Sequence, residues 1–244
     1  MSTIVLGSLL AAIVLAGVYA SGIGTAERGL WERRALISAA AGVSVAYVFV
    51  DILPELADLN LGLREATGGL PFAEQRIYLL ALLSFVVMYG LEHIVLTRRQ
   101  HRRGSVERME RDPIYWLHVA GFAAYSALIG YLLVERAERG QLELALYVLA
   151  MAIHFLVVNH SLAEEHGELY RRHGRWYLAA SVAAGWALGA LAPLSEIAFA
   201  RLFAVLAGGV VITSLRSELP DDRRGRFWPF CLGAIGFALL LLWA

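Results

Sequence analysis

The chain has 244 residues, of which 59% are hydrophobic and only 17% are charged. Soluble domains carry about 25% charged residues, so this composition excludes a single soluble globule. The formal net charge is zero, which gives no general attraction to nucleic acid, and a lone Cys231 excludes an internal disulfide framework. We therefore expect an all-α polytopic membrane protein whose main partner is the lipid bilayer, with no nucleic-acid ligand.

Eight segments are long and apolar enough to be membrane spans, each needing about 20 mostly apolar residues. The first has no basic residue before it, unlike a signal peptide, so we count it as a true span. Together the spans predict a single transmembrane domain over residues 1–244. The predicted spans are approximately 3–22, 34–53, 77–97, 114–134, 143–162, 176–194, 196–217 and 227–244.

Two breaks between spans carry helix-start signals. Asp112 precedes Pro113 before the fourth span, and proline is favoured in the first turn of a helix. Ser195 follows Pro193 and is well placed to cap the seventh span. The Ser195 signal predicts that the sixth and seventh spans are separate helices.

The arginines indicate the orientation, because cytoplasmic loops of membrane proteins carry an excess of positive charge. One set of alternate loops holds fifteen arginines, whereas the opposite set holds only Arg64, Arg76, Arg136 and Arg139. We place the rich set in the cytoplasm, which puts both termini outside and favours a bacterial cytoplasmic (inner) membrane. The fifteen are Arg28, Arg33, Arg34, Arg98, Arg99, Arg102, Arg103, Arg108, Arg111, Arg171, Arg172, Arg175, Arg223, Arg224 and Arg226.

Ionisable residues inside membrane spans are costly and therefore mark candidate functional sites. Near the centre of the fifth span lies His154, which is either a metal ligand or an imidazole bonded to a neighbouring helix. Asn159, His160 and Glu164 follow toward the inner end. His160 and Glu164 are four residues apart and are placed to share one cation or one proton. We take these four as candidate metal ligands, and we expect residues 164–175 to form an exposed turn.

A second group outlines a predicted transport pathway. Asp51 and Glu55 lie at the outer end of the second span, where Pro54 is expected to kink the helix. They form either an acidic mouth that attracts cations or a helix end whose carboxylates reach water. Near the inner interface, Glu92 and His118 are expected to extend to water. The mid-span residue of the pathway in the fourth span is Tyr125.

Small residues predict where helices approach closely. Gly185 and Gly189 in the sixth span have the Gly-x-x-x-Gly spacing of membrane helix contacts, and Gly208 and Gly209 form a pair in the seventh. The expected role is packing within the chain, with a homodimer as the alternative.

Three spans resemble the ZIP family of divalent-metal transporters: the second, the seventh and the fifth around His154. The second ends in Asp51-Ile52-Leu53-Pro54-Glu55, which is similar to the His-Leu-Leu-Pro-Glu ending of the family's second helix. The seventh runs from Gly208-Gly209 to Glu218-Leu219-Pro220, like the family's seventh helix. Eight spans, outside termini and a long inner loop after the third span match as well. The resemblance implies an eight-helix bundle and the transport of zinc or another divalent cation.

The chain departs from the family at the implied transport site. Residues 121–126 lie where the family's fourth helix has His-Asn-x-x-acidic-Gly, and Tyr125 takes the place of the acid. In the fifth helix His154 matches the leading histidine, and Asn159 falls where an acid often lies. The usual two-metal site is therefore absent, and any metal site must be altered.

The sequence leaves two functions open. One is divalent-cation transport or binding through an altered ZIP-like site, with zinc or another divalent cation as the only cofactor considered. The other is a non-transporting partner or scaffold subunit of a membrane complex. An intramembrane hydrolase would need a catalytic set of Ser, Asp or three His on matching spans, which we do not find, so we expect no enzymatic activity.

Overall fold

The structure is a computed structural model that describes residues 3–22, 30–66, 73–99, 112–192, 194–215 and 226–243. Pro193, most of the arginine-rich inner loop 98–111 and the Glu218-Leu219-Pro220 motif lie outside these residues, as do Arg28, Arg223 and Arg224. The described residues are helical almost throughout and contain no strand. The expected all-α fold class is confirmed.

Nine α-helices and two short π-helical segments make up the described chain. The π-helical segments are Val48–Ile52 and Tyr170–Gly174. The α-helices are α1 (Thr3–Ser21), α2 (Leu30–Tyr47), α3 (Leu53–Ala66), α4 (Ala73–Arg99), α5 (Pro113–Arg139), α6 (Gln141–Leu169), α7 (Arg175–Leu191), α8 (Glu196–Thr213) and α9 (Phe227–Trp243).

Six helical segments are long and apolar enough to cross a membrane. In two of them helices follow one another without an intervening loop: α2 with α3, and α6 with α7. The shorter helix α9 is also apolar. Length and composition thus identify an integral membrane protein. The six segments are Thr3–Ser21, Ala35–Gly62, Gln75–Val95, Pro113–Arg139, Gln141–Leu191 and Glu196–Thr213.

The helices form two compact units, residues 1–28 with 88–192 and residues 29–87 with 193–244. In the first unit α5 and α6 are antiparallel. The Tyr147 hydroxyl donates to the Ile129 carbonyl near one end of the pair, at 3.1 Å. At the other end the Tyr115 hydroxyl donates to the Leu169 carbonyl, at 3.4 Å.

Helix α7 runs parallel to α5 and therefore antiparallel to α6. Gly185 packs on the backbone of Ala127, and four residues later Gly189 packs on the backbone of Tyr131. The chain thus reverses direction between α6 and α7. The reversal lies at Gly167, whose φ of 59° and ψ of −131° are non-helical. The π-helical segment Tyr170–Gly174 then leads into α7.

The expected exposed turn over residues 164–175 contains the chain reversal at Gly167, but it is exposed only in part. Glu164, Glu168, Arg171 and Arg172 are exposed, whereas His166, Leu169 and Tyr170 are buried. Regular helix continues to His166, because Leu162 and His166 are four residues apart and face the bundle together. The charged residues between them occupy the other faces of the same helix.

Glycines allow α5 and α7 to approach with their backbones in contact. A Cβ atom at Gly130 would collide with the Val182 carbonyl, and one at Gly185 would collide with the Ala127 carbonyl. At Gly189 the obstacle is the Tyr131 carbonyl. Because lipid tails provide no hydrophobic force between helices, such close backbone packing is a main source of their association. The predicted packing role of Gly185 and Gly189 is confirmed.

The second unit contains an equivalent contact between α2 and α9. Gly42 packs on the backbone around Phe230, and Gly233 packs on the backbone of Ala39. Further along both helices, the rings of Tyr47 and Phe237 meet edge to face at 6.4 Å. At the other end of the pair the Arg226 nitrogen donates to the Ser38 hydroxyl at 3.1 Å. The contacts advance from Ser38–Arg226 to Tyr47–Phe237, so α2 and α9 run parallel.

Pro54 shapes the passage from α2 to α3. Proline cannot donate a backbone hydrogen bond, and its ring crowds the preceding turn. The chain accommodates it by widening into the π-helical segment Val48–Ile52. The expected kink therefore takes the form of a π turn, and helix continues to Ala66, beyond the predicted end of the second span near residue 53. Leu56 and Asn60, four residues apart, are buried on one face of this extension.

Both predicted helix starts are confirmed. The Asp112 side chain accepts a hydrogen bond from the Ile114 backbone nitrogen at 3.1 Å, with Pro113 in the first turn of α5. The Ser195 hydroxyl accepts from the Ala198 nitrogen at 3.4 Å and caps α8. These caps satisfy helix-terminal N–H groups that have no partner within the helix.

We predict that Gly185→Ala destabilises the first unit, because the added methyl group meets a backbone carbonyl that no side-chain rotation can move. The expected loss is about 1–3 kcal/mol of unfolding free energy, in the range for overpacked sites. Gly17→Ala is the matched control, since a Cβ atom at Gly17 meets nothing within 4 Å. Thermal or denaturant unfolding in detergent measures both; equal stabilities would contradict the close contact.

Candidate functional site

Three potential metal ligands converge near the start of α5 and the end of α6. His118 Nδ1 lies 2.8 Å from His166 Nε2 and 3.9 Å from Glu165 Oε2. One ligand atom from each residue lies within 4.8 Å of the other two. Among the described residues this is the one group of at least three His, Cys, Asp or Glu side chains with such geometry. We call it the His118–Glu165–His166 cluster.

The cluster is enclosed on its imidazole side and more open on its carboxylate side. His118 is 1% exposed and His166 is 6% exposed, whereas Glu165 is 17% exposed. The Phe122 ring meets His118 edge to face at 5.1 Å, and the Tyr115 ring meets His166 in the same way at 5.0 Å. Aromatic walls therefore hold the two imidazoles, and the carboxylate faces the more accessible side.

The same pair of helices makes a second polar contact deeper in the bundle. The Tyr125 hydroxyl lies 3.1 Å from His154 Nε2, and both residues are buried. Next to it, the Tyr19 hydroxyl of α1 lies 3.1 Å from the Ser126 hydroxyl. The Tyr19 ring stacks on Phe155 at 4.4 Å. This level links α1, α5 and α6 through buried hydrogen bonds that involve two tyrosines.

The four candidate ligands of the fifth span take part in three different contacts. His154 meets Tyr125, as described above. Asn159 accepts a hydrogen bond from the Tyr170 hydroxyl at 2.7 Å. His160 Nε2 lies 3.2 Å from Glu164 Oε1, so the predicted proximity of these two residues is confirmed. The structure thus pairs each of them with a nearby polar group, and none of the four belongs to the His118–Glu165–His166 cluster.

The predicted pathway residues fall in both units. Asp51 lies in the first π-helical segment and Glu55 in the first turn of α3, and both are partly exposed in the second unit. In the first unit Glu92 and His118 are buried, so the expected extension of these side chains to water is wrong. Burial is possible for His118 because His166 and Glu165 supply polar contacts.

A buried arginine stabilises the opposite end of the α5–α6 pair. Arg136 is 3% exposed, and its guanidinium carbon lies 5.3 Å from the centre of the Tyr147 ring. Its Nη1 atom lies 3.5 Å from Glu143 Oε2. The sequence identified Arg136 only as a loop charge. Its cation–π and carboxylate contacts instead hold the two helices together across the turn at Gly140.

Sequence reasoning missed Glu165, His166, Tyr170 and Tyr19. A signal was present for His166, because it lies four residues after the apolar Leu162, a helical spacing that indicates that α6 extends to His166. For the two tyrosines no local signal was present, since an aromatic residue in an apolar span has the same pattern whether its hydroxyl is bonded or exposed. Their partners lie on other helices or beyond a turn.

Comparison with known proteins adds no assignment. No protein-family model matches the chain, and no curated protein matches it.

We predict that Gly167→Ala destabilises the protein through backbone conformation alone. A Cβ atom there meets nothing within 4 Å, but φ of 59° with ψ of −131° is a region that L-residues rarely adopt. The expected cost is about 1–3 kcal/mol. Gly90→Ala, in helical α4 and also without a contact within 4 Å, is the control. Unfolding midpoints in detergent compare the two, and an unchanged midpoint for Gly167→Ala would disprove the strain.

Proposed function

We propose that the chain crosses the membrane eight times, with both termini outside. The reversal between α6 and α7 supports two passes in segment 141–191, with helices of 29 and 17 residues. Helix α9 has 17 residues and is about 25 Å long at 1.5 Å per residue. Phe227 and Trp228 at its start and Trp243 at its end are exposed, as in the aromatic belts at membrane interfaces.

Single-cysteine labelling tests this topology in a Cys231→Ser background. We expect cysteines at Gln141 and Ser195 to react with a membrane-impermeant maleimide in intact cells. A cysteine at Arg172 is expected to react only after permeabilisation, since the α6–α7 turn lies inside. All three residues are exposed or partly exposed. Labelling of Gln141 and Arg172 from the same side would contradict separate passes for α6 and α7.

For its activity, we propose a ZIP-like integral membrane protein that transports or binds a divalent metal cation through an altered site. One observation carries this proposal: α5 and α6 place imidazoles in contact at two levels of the same interface. His118 meets His166 at one level, and Tyr125 meets His154 at the other. Imidazole is a preferred ligand of zinc and related transition metals.

The energetic argument favours function over packing alone. An apolar pair of similar volume would hold two membrane helices together without the cost of removing polar groups from water. Tyrosine–histidine and histidine–histidine contacts instead place exchangeable protons and metal-binding nitrogens along one helix interface. Such groups are suited to pass a cation and its compensating protons between levels.

A specific surface favours the alternative, a non-transporting partner or scaffold subunit. Helix α9 exposes large apolar residues at alternating intervals of four and three, the spacing of a helix–helix seam. The mid-span groups His154 and Asn159 also have tyrosine partners within the chain, as expected for a structural role. The exposed residues of this α9 face are Trp228, Leu232, Ile235, Leu239 and Leu242.

Uptake by proteoliposomes decides between the two functions. We expect the purified protein to accumulate Zn²⁺ or another divalent transition metal, and His154→Ala to reduce uptake to the level of empty liposomes. His173→Ala is the control, because His173 lies in the α6–α7 turn and makes no described contact with either histidine level. Uptake equal to empty liposomes across several metals would reject transport. Native mass measurement in mild detergent then tests the alternative: a bound partner subunit would support it, and a pure monomer or homodimer would count against it.

A further inference from the structure

We propose that the His118–Glu165–His166 cluster is a binding site for one divalent cation of the zinc class, at the inner end of the α5–α6 interface. This inference deepens the proposed function and rests on it for the physiological role of the cation. Binding itself does not require transport. The site lies wholly within the first unit and uses none of the ligands of the fifth span that the sequence suggested.

The present geometry is close to that of a bound site. Zinc binds imidazole nitrogen at about 2.0–2.1 Å, so two nitrogens on one tetrahedral ion lie about 3.3 Å apart. His118 Nδ1 and His166 Nε2 are 2.8 Å apart, a hydrogen-bond distance. Opening this contact by about half an ångström, through small ring rotations, places both nitrogens at ligand distance. To bind the cation, the ring that donates in this contact carries its proton on its other nitrogen instead, so both rings act as neutral imidazole ligands.

Glu165 supplies the third ligand and the charge. Its Oε2 atom is 3.9 Å from His118 Nδ1, so a carboxylate rotation brings it to a cation held between the rings. A single carboxylate offsets one of the two positive charges. Because Glu165 is 17% exposed, a cation can reach the site from its carboxylate side. Three protein ligands leave a fourth position for water or an exchanging ligand, as in zinc sites that bind reversibly or catalytically.

The donor set selects the class of cation. Two imidazole nitrogens and one carboxylate suit Zn²⁺, Co²⁺ and their neighbours. Ca²⁺ takes six to eight oxygen ligands, and Mg²⁺ keeps an octahedral oxygen shell. One carboxylate cannot supply either shell.

The backbone explains how one helix contributes two consecutive ligands. Glu165 and His166 are about 100° apart around α6, so they approach a shared ion from two sides, with His118 of α5 between them. Gly167 then leaves the helical conformation immediately after His166. The chain changes direction at this point, so the cluster lies at the end of the regular part of α6.

Cobalt binding to the purified full-length protein tests the site directly. Co²⁺ in a site with nitrogen and oxygen ligands gives visible ligand-field absorption that Zn²⁺ abolishes by competition. We expect one saturable Co²⁺ per chain, with no displacement by millimolar Ca²⁺ or Mg²⁺. His118→Gln and His166→Gln are expected to weaken binding at least about 100-fold, more than the loss of a supporting partner at a metal site. Glutamine keeps a polar group in the buried space.

Two neighbouring residues supply matched controls. His173→Gln removes an imidazole from the α6–α7 turn, and Glu168→Gln removes an exposed carboxylate that pairs with Arg171 at 3.5 Å. Both variants are expected to bind Co²⁺ like the native protein. Glu165→Gln, at a more accessible position than the histidines, is expected to weaken binding about 10-fold or more and serves if a histidine variant does not fold. Monodisperse elution and an unchanged helical spectrum verify folding.

The outcomes separate the site from transport. Binding lost in the cluster variants and retained in the controls supports the site. No saturable Co²⁺ in the native protein, or equal affinity in native protein and folded Glu165→Gln, overturns it. If Co²⁺ binds as expected while proteoliposomes of the same preparation accumulate no metal, the site is supported and the transport proposal fails. If proteoliposomes accumulate metal but the protein shows no saturable Co²⁺ site, the transport proposal is supported and the proposed site fails.

Discussion

Backbone contact between α5 and α7 is the constraint on which the first unit depends. Gly130, Gly185 and Gly189 bring the two helices together, and no side chain intervenes at these points. The contact fixes the rotation of α5 about its axis. At about 100° per residue, His118 and Tyr125 lie on one common face, roughly 120–140° away from Gly130. That face is directed at α6, so the glycine contact on one side of α5 determines the polar contacts on the other.

The α5–α6 interface buries polar and charged side chains at several levels. Along one antiparallel pair the structure places Arg136 over Tyr147 near one end, Tyr125 against His154 further in, and His118 against His166 near the other end. Buried polar groups are tolerated when each finds a hydrogen-bond or charge partner. These contacts satisfy that requirement while keeping imidazoles available within the bundle. This combination, made of pairs of residues instead of a single highly charged centre, is the basis of the cation-handling function that we propose.

The positions of most helices could be predicted from the sequence, because apolar length, arginine clusters and caps are local properties. Asp112 with Pro113 and Ser195 began helices where we expected, and the α6–α7 reversal agrees with two separate helices there. Helix continuation was harder to predict. The second span was predicted to end near residue 53 with a kink at Pro54, but a π turn accommodates the proline and the helix continues to Ala66. Charged residues from Glu164 onward suggested an exposed turn; the chain does turn at Gly167, but α6 stays helical to His166 and several residues of the turn are buried.

The amino-acid sequence by itself therefore determined that this is an all-helical membrane protein, because hydrocarbon requires each crossing segment to satisfy its own backbone hydrogen bonds. It also named polar residues whose burial would be costly, including His118, His154 and Asn159. Only the tertiary structure decided which partners they have. His118 and His166 are 48 positions apart, and their 2.8 Å contact depends on the rotation and depth of two helices. Those quantities come from contacts among several helices, so no local spacing in either helix encodes them.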